Sequence, residues 1–189
     1  GKRRMKVGLI ANPASGKDIR RIVAHGSVFD NQEKVRMVRR ILAGLKEAGI
    51  EEVLYMPDSY AIVERALTDL PEARRPASIA PLVYWQHNNQ EDTVNAARML
   101  EEAGAGLMIV LGGDGTARAA CKGSRKLPIL ALSTGTNNVF PVMTEATMAG
   151  LAAGVLASGA IPMEAGCLEA DILEIVVNGE CVDMALVDV

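Results

Sequence analysis

The residues with the clearest chemical potential lie directly after the continuous apolar run Leu107–Leu111. They are Gly112, Gly113, Asp114, Gly115 and Thr116. Glycines allow a ligand to approach the backbone closely, and the N–H groups at the start of a following helix favour phosphate. Asp114 is the exception, because a carboxylate repels phosphate unless a metal ion or a reacting hydroxyl lies between them. Its position indicates a general base or a magnesium ligand, although Asp114 could also serve only as a helix cap.

Two further loops with similar chemistry follow apolar runs. Residues 12–17 read Asn-Pro-Ala-Ser-Gly-Lys and nearly match a phosphate-binding P-loop, but Ala11 replaces the leading glycine and Asp18 stands where Ser or Thr is required. This loop could present N–H groups and a lysine to phosphate, or form a plain exposed turn. Residues 133–138, Ser-Thr-Gly-Thr-Asn-Asn, form a second loop rich in glycine and hydroxyl groups.

A hydrolase triad is a weaker interpretation of the polar segment 18–30. His25, Ser27 and Asp30 supply the residue types, but the sequence contains no glycine-flanked nucleophile elbow. We expect this segment to be a loop that ends at Asp30, where an acid three positions later, Glu33, completes a helix-start pattern.

Apolar runs alternate with amphipathic segments along most of the chain. The predicted strands cover 6–11, 52–56, 79–85, 107–111 and 129–132. One predicted helix starts at Asp30, and three others cover 60–70, 93–103 and about 118–121. This alternation predicts an α/β fold with a doubly wound parallel sheet. Because ligands of such sheets bind beyond the carboxyl ends of the strands, we expect the loops 12–17, 87–89, 112–116 and 133–138 to meet at one edge.

The pattern changes near the end of the chain. Two apolar runs flank Asn178-Gly179, a strong signal for a β-hairpin. We therefore predict an α/β nucleotide-binding domain over 1–166 and the beginning of a truncated antiparallel β domain over 167–189. The apolar strands of an isolated hairpin favour pairing with another copy, so we expect a homo-oligomer.

Composition limits the classes of partner. The 189-residue chain has a net charge of −3 and only 3% aromatic residues, which argues against binding to nucleic acid or to an acidic membrane surface. The long uncharged stretch within 146–163 is rich in Ala and Gly and predicts a packed helix rather than a membrane span. Cys121, Cys167 and Cys181 show no pairing pattern, and no signal peptide precedes the first strand, so we expect a cytoplasmic protein.

Several of these segments carry a resemblance to a known superfamily. Gly112–Thr116 resembles the signature shared by NAD kinases, diacylglycerol and sphingosine kinases, and 6-phosphofructokinases. Asn12–Gly16 is similar to the NPxSG segment of the lipid-kinase branch, and Thr134–Asn138 resembles its GTGND segment. Together with His25–Asn31 and Ser133–Pro141, these motifs are most similar to the ATP-NAD-kinase-like family of acetoin-catabolism X proteins.

The resemblance implies a two-domain protein whose nucleotide site lies in the cleft between an α/β domain and a β-sandwich. It implies phosphoryl transfer from ATP, with Mg²⁺, to a hydroxyl of NAD or a related small molecule, with a link to acetoin catabolism. Asp114 would deprotonate or orient the acceptor hydroxyl near the magnesium ion, and no side chain is assigned as a metal ligand. The phosphate-holding residues would be Gly112, Gly113, Gly115 and Thr116. The nucleotide side would be lined by Asn12 and Ser15, and the second loop by Thr134, Gly135, Thr136 and Asn137.

Two departures from the family pattern bear on activity. Lipid kinases usually carry a Glu soon after the glycine turn, whereas Arg118-Ala119-Ala120 stands here, and the final Asp of GTGND is Asn138. Each change removes a negative charge that could hold magnesium or the acceptor. The alternative function is therefore a catalytically weak protein that binds or senses nucleotides on a kinase fold.

Overall fold

A computed structural model describes residues 5–13, 24–132 and 150, together with the backbone of 169–177 and 180–185. For residues 24–30 and 114 it likewise describes the backbone alone. The strands are β1 (Lys6–Ala11), β2 (Glu52–Tyr55), β3 (Ser78–Pro81), β4 (Leu107–Leu111), β5 (Ile129–Leu132), β6 (Glu169–Val177) and β7 (Glu180–Ala185). The helices are α1 (Ala24–Glu47), α2 (Ile62–Thr68), α3 (Gln90–Glu102) and α4 (Asp114–Gly123), with a single 3₁₀ turn at Glu72–Arg74.

The first five strands form a parallel sheet in the order β3-β2-β1-β4-β5. The predicted α/β architecture with a parallel sheet is thereby confirmed. The chain winds outward from β1 to β3 and then returns to β4 on the other side of β1. The strand order therefore reverses between β1 and β4, which is the position where open α/β sheets place their ligands.

The last two strands extend the same sheet. β6 pairs with β5 in antiparallel register, with Leu173 opposite Leu132, and β7 pairs antiparallel with β6. The two strands lie on either side of Asn178-Gly179, where the sequence predicts a hairpin. The assignment of 167–189 to a separate β domain stays a prediction.

Apolar side chains cover both faces of the parallel sheet. On one face, residues such as Leu9 and Ile109 pack against α1 and α2, and on the other, residues such as Ile10 and Met108 pack against α3 and α4. Neighbouring residues of one strand thus enter different cores. This double burial explains why the strand sequences are continuously apolar instead of alternating with polar residues.

Helices α3 and α4 approach each other closely. A Cβ atom at Gly123 would lie 2.1 Å from the carbonyl oxygen of Val94 and 2.8 Å from the Cβ of Ala97. The absence of a side chain at Gly123 therefore allows the two helix backbones to come together. This contact fixes the position of α4, whose first turn directly follows Gly113.

Helix α1 begins earlier than its sequence predicts. It starts at Ala24 instead of after Asp30, so His25 and Ser27 lie on a helix and not in a loop. No proline interrupts this stretch, and a single glycine such as Gly26 costs a helix only about 1 kcal/mol. A pair of acids three residues apart fits a helix interior as well as a helix start, which is why the predicted boundary was wrong.

Strand β3 ends at Pro81 and not at Trp85. The N–H of Leu82 forms the last bond to β2, donating to the carbonyl of Tyr55 at 2.8 Å, and beyond it the Tyr84 hydroxyl donates to the carbonyl of Pro57 at 3.0 Å. The following Trp85 is 84% exposed. Its aromatic character favoured a strand, but the tertiary bonds of its neighbours direct the chain away from the sheet.

Candidate functional site

The carboxyl ends of β1 and β4 lie side by side where the strand order reverses. Ala11 is opposite Leu111 in the sheet register, and the N–H of Asn12 donates to the carbonyl of Leu111 at 3.4 Å. The N–H of Gly112 donates to the carbonyl of Leu132 at 3.3 Å on the other side. We call Asn12 and residues 112–116 together the switch-point edge.

The glycine turn of this edge closes tightly on one side and is open on the other. A Cβ atom at Gly112 would lie 2.6 Å from Thr116 Oγ1, so a side chain at this position would prevent the turn from folding back. At the exposed Gly113, by contrast, an added Cβ would meet no atom of the described residues within 4 Å. The first N–H groups of a helix have no acceptor within the helix itself. The turn therefore offers a ligand open access to the start of α4.

Gly113 is the N-cap of α4, and Asp114 is the first helical residue. The alternative in which Asp114 caps the helix is therefore wrong, because the cap position lies one residue earlier. An acid in the first helical turn is favourable beside the positive end of the helix dipole. The Asp114 side chain lies outside the described residues, and its catalytic role stays a prediction.

Asn12 connects three elements at this edge. Its Nδ2 donates to Thr93 Oγ1 of α3 at 2.8 Å and approaches Thr116 Oγ1 of α4 at 3.4 Å. Its backbone carbonyl accepts a hydrogen bond of 2.6 Å from Lys34 Nζ of α1. Thr93 is 0% exposed, so this cluster rests on a buried hydroxyl. Strand β1 and helices α1, α3 and α4 are thus held together at the point where Asn12 leaves the sheet.

The sequence motifs did not identify Thr93 and Lys34 as part of this cluster. Thr93 was expected to begin α3, but the helix begins at Gln90, with the Asn89 side chain accepting from the N–H of Glu91 as its N-cap. Thr93 therefore lies one turn inside the helix. Asn89, immediately before Gln90, was the available signal, because asparagine is a favoured N-cap and marks the earlier start of the helix.

The segment before α3 also reaches the switch-point edge. The Asp92 carboxylate accepts from the N–H groups of His87 and Asn88, each at 2.8 Å, which folds this segment back onto its own helix. The Nε2 of Gln90 lies 2.9 Å from the position of a Cβ at Gly115. Two of the four loops that the sequence places at one edge are therefore in contact, through Asn12 and Thr116, and the third, 87–89, ends one residue before Gln90.

The remaining predicted site residues lie outside the described part of the chain. They are Ser15, Thr134, Gly135, Thr136 and Asn137. The last described residue before Thr134 is Leu132, which lies beside Leu111 in the sheet.

Two ionisable groups near this edge serve structural hydrogen bonds. Burial raises the pKa of the Asp58 carboxyl, although its hydrogen bonds from the N–H groups of Ile62 and Tyr60 act in the opposite direction. Burial, reinforced by the negative charge of Asp92, raises the pKa of the Tyr84 phenol above its usual range. Tyr84 therefore stays neutral and its hydroxyl donates a hydrogen bond to the carbonyl of Pro57. We assign neither Asp58 nor Tyr84 to proton transfer.

Within the described ranges, no group of three or more His, Cys, Asp or Glu side chains comes together to hold a metal ion. The donor set at the switch-point edge instead consists of N–H groups and hydroxyls, which suit phosphate oxygens. Over the same part of the chain, no helix combines the length and apolar character needed to cross a membrane.

Comparisons with known proteins agree with this geometry. Residues 7–161 match the family model of the ATP-NAD kinase N-terminal domain. The chain is also 40% identical to acetoin catabolism protein X of Cupriavidus necator, over 96% of this chain and 53% of that protein. The chain thus spans about half the length of this relative. No solved structure matches it. The chain belongs to the ATP-NAD kinase family and, within it, is similar to acetoin catabolism protein X.

Proposed function

We propose that this chain is the nucleotide-binding part of a cytoplasmic phosphotransferase that moves a phosphoryl group from ATP to a hydroxyl of NAD or a related small molecule. The observation that supports this proposal is the open glycine turn at the start of α4, at the position where the strand order reverses. The relative's name suggests that the acceptor belongs to acetoin catabolism.

In this proposal the phosphates of ATP lie against the backbone of Gly112 and the N–H groups of Gly113 and Gly115, since the Gly112 N–H already donates to the carbonyl of Leu132. The geometry around Thr116 supports such a role. Asn12 Nδ2 donates towards Thr116 Oγ1, so the oxygen acts as an acceptor there and the hydroxyl proton can be donated to a ligand. Asn12 in turn is held by Thr93, which keeps the Thr116 hydroxyl in a defined orientation.

Asp114 is proposed to receive or orient the proton of the acceptor hydroxyl. As the first helical residue, Asp114 directly follows Gly113 in the turn where the phosphates are proposed to lie. We call this turn, residues 112–115, the phosphate seat. Magnesium entering with ATP supplies charge neutralisation, while this chain supplies positioning, and these two contributions are what phosphoryl transfer chiefly requires. Ser15 and the loop residues Thr134, Gly135, Thr136 and Asn137 are proposed to complete the nucleotide side.

A second candidate function is a nucleotide-binding sensor with little catalytic activity. Ala119 and Ala120, which follow the glycine turn where lipid kinases carry a Glu, are only 4% and 0% exposed. An acid at these positions would enter the core between α3 and α4, and the exposed Arg118 carries the opposite charge. With Asn138 in place of an aspartate, the chain lacks the additional carboxylates that an active lipid kinase has.

The proposed phosphate seat can be tested by comparing Gly113→Asp with Gly113→Asn. Both side chains enter open space and both are good N-caps, so both variants should fold with an unchanged or higher melting temperature. Calorimetry with MgATP should show a loss of affinity of at least about tenfold for the aspartate and less than about threefold for the asparagine, since only aspartate repels phosphate. Equal affinities for the two variants would contradict phosphate binding at this turn.

The two candidate functions differ in turnover. ATP consumption should be measured on the full-length protein with magnesium and with NAD, NADH and acetoin-related alcohols as acceptors. Phosphorylated product with one of them supports the phosphotransferase. Binding of ATP or NAD without product from any acceptor, at high protein concentration, supports the sensor.

A further inference from the structure

A second polar feature lies between α1, α2 and the 3₁₀ turn. It is a cleft of about 330 Å³ whose charged lining residues are Arg36, Arg39, Arg40, Arg74, Glu47 and Asp69. Four guanidinium groups face two carboxylates, which leaves two positive charges in a chain whose net charge is −3. We call this feature the arginine cleft.

Most of these guanidinium groups have no ion-pair partner among the residues that the structure describes. Arg39 pairs with Asp69 at 3.2 Å and donates to the carbonyl of Ala66 at 3.3 Å. Among the described residues, neither Arg36 nor Arg40 nor Arg74 forms an ion pair. The Nε atom of Arg36 is buried and has no hydrogen-bond partner there. A buried donor without an acceptor is costly, so Arg36 Nε is a donor that a ligand in the cleft would satisfy.

The arginine cleft is separate from the switch-point edge. Its lining comes from the second half of α1 and from the segment after α2, ending at Glu47 and at Asp69 and Arg74. These positions directly precede β2 and β3, whose first residues are Glu52 and Ser78. The cleft therefore lies towards the amino ends of the strands, whereas the glycine turn lies at their carboxyl ends.

We propose that the arginine cleft binds a small phosphate dianion, either free or as the monoester of a soluble metabolite. Guanidinium groups bind phosphate oxygens through paired N–H donors, and several of them converging on one cleft suit a phosphate better than a single carboxylate. A phosphate monoester carries a charge of about −1.5 to −2 at pH 7, which matches the two uncompensated positive charges. The volume is at the lower end of ligand pockets, which favours a small ligand.

The test measures phosphate binding to the chain in which Gly113→Asp has blocked the phosphate seat at the glycine turn. The probes are inorganic phosphate and glycerol 3-phosphate. The binding of each is measured by calorimetry at low ionic strength. In this background, Arg40→Gln together with Arg74→Gln removes two exposed groups of the cleft. The matched control, Arg98→Gln together with Arg125→Gln, removes two exposed arginines that do not line the cleft.

We expect the cleft pair to weaken the affinity at least about tenfold and the control pair to change it less than about twofold. Tighter binding of glycerol 3-phosphate than of phosphate identifies an ester as the ligand, and equal binding identifies the free ion. Equal losses in the two pairs would show a general effect of charge and overturn the proposal. The absence of binding at millimolar probe, with melting temperatures unchanged, would overturn it as well.

Discussion

The two helix layers on this sheet rest on the same strands and yet pack in different ways. In the α3–α4 layer the backbones meet at Gly123, where an added Cβ would lie 2.1 Å from Val94. In the α1–α2 layer, long side chains such as Arg39 bridge the helices and leave the arginine cleft between them. The closely packed layer carries Thr93 and Thr116, which hold Asn12 at the switch-point edge.

The difference in packing between the two layers accompanies a difference in the sites that we propose in them. Small residues between helices permit direct backbone packing, which limits movement and suits groups that must keep a fixed orientation. Charged side chains between helices leave a space that water or an anion can enter. The residues proposed to position ATP therefore lie beside the close α3–α4 contact, whereas the proposed second anion site lies between α1 and the segment after α2.

The largest effect should come from filling the contact between α3 and α4. Gly123→Ala places a methyl group against the carbonyl of Val94, and because a backbone atom cannot move aside easily, we expect a loss of about 3 kcal/mol or more in unfolding free energy. Denaturant unfolding measures the change. The control Gly113→Ala, in open space, should be close to neutral. Similar stabilities for both variants would contradict the close packing of this layer.

Asp114→Asn tests the phosphoryl transfer that we propose at the start of α4, in the α3–α4 layer. The amide keeps the size of the side chain but cannot accept a proton, so turnover should fall by about a hundredfold or more while ATP binding persists. Steady-state rates and calorimetry on the full-length protein separate the two effects. Glu91→Gln, an exposed acid-to-amide change on α3, is the control and should leave the rate unchanged. An unchanged rate in Asp114→Asn would exclude Asp114 as the base.

Thr93→Val tests whether the Asn12 cluster needs its buried hydroxyl. The substitution keeps the shape but removes the acceptor of the 2.8 Å bond from Asn12, so we expect a loss of about 1–2 kcal/mol in stability and a several-fold weaker affinity for ATP. In the other layer, Thr68→Val removes an exposed hydroxyl that donates to the Glu64 carbonyl at 3.3 Å. That control should change stability by less than about 0.5 kcal/mol. Equal losses of stability in Thr93→Val and Thr68→Val would contradict a special role for the buried Thr93 hydroxyl.

The smallest effect concerns Tyr55, at the base of the α1–α2 layer. Burial, together with its hydrogen bond to Glu64, raises the pKa of its phenol. Below about pH 10 the phenol is protonated in both states. Above it, the unfolded chain loses the proton first, so stability falls as pH rises. Tyr55→Phe should cost about 1 kcal/mol at neutral pH and make the melting temperature fall less steeply above about pH 10. An unchanged alkaline slope would contradict this assignment.

The sequence alone was sufficient for the elements with purely local signals. β1, β4 and β5 have the bounds that their apolar runs predict, since a continuous apolar segment ending at a polar or glycine-rich loop suits one structure best. The parallel α/β arrangement and the family also followed from motifs and alternation. The start of α1 and the end of β3 did not. The acid pair Asp30 and Glu33 fits a helix interior as well as a helix start, and the end of β3 depends on contacts with the segment after β2.

The tertiary structure decided which residues act together. Asn12 meets Thr93 and Thr116 across separations of 81 and 104 residues, and this meeting requires the strand order that places β1 beside β4. The arginine cleft likewise combines α1 with the segment after α2, although each arginine alone resembles an ordinary surface residue. The pattern of apolar and polar residues in a segment predicts the burial of that segment alone. The chemistry of a shared edge or cleft depends on contacts between segments, and only the folded chain sets these.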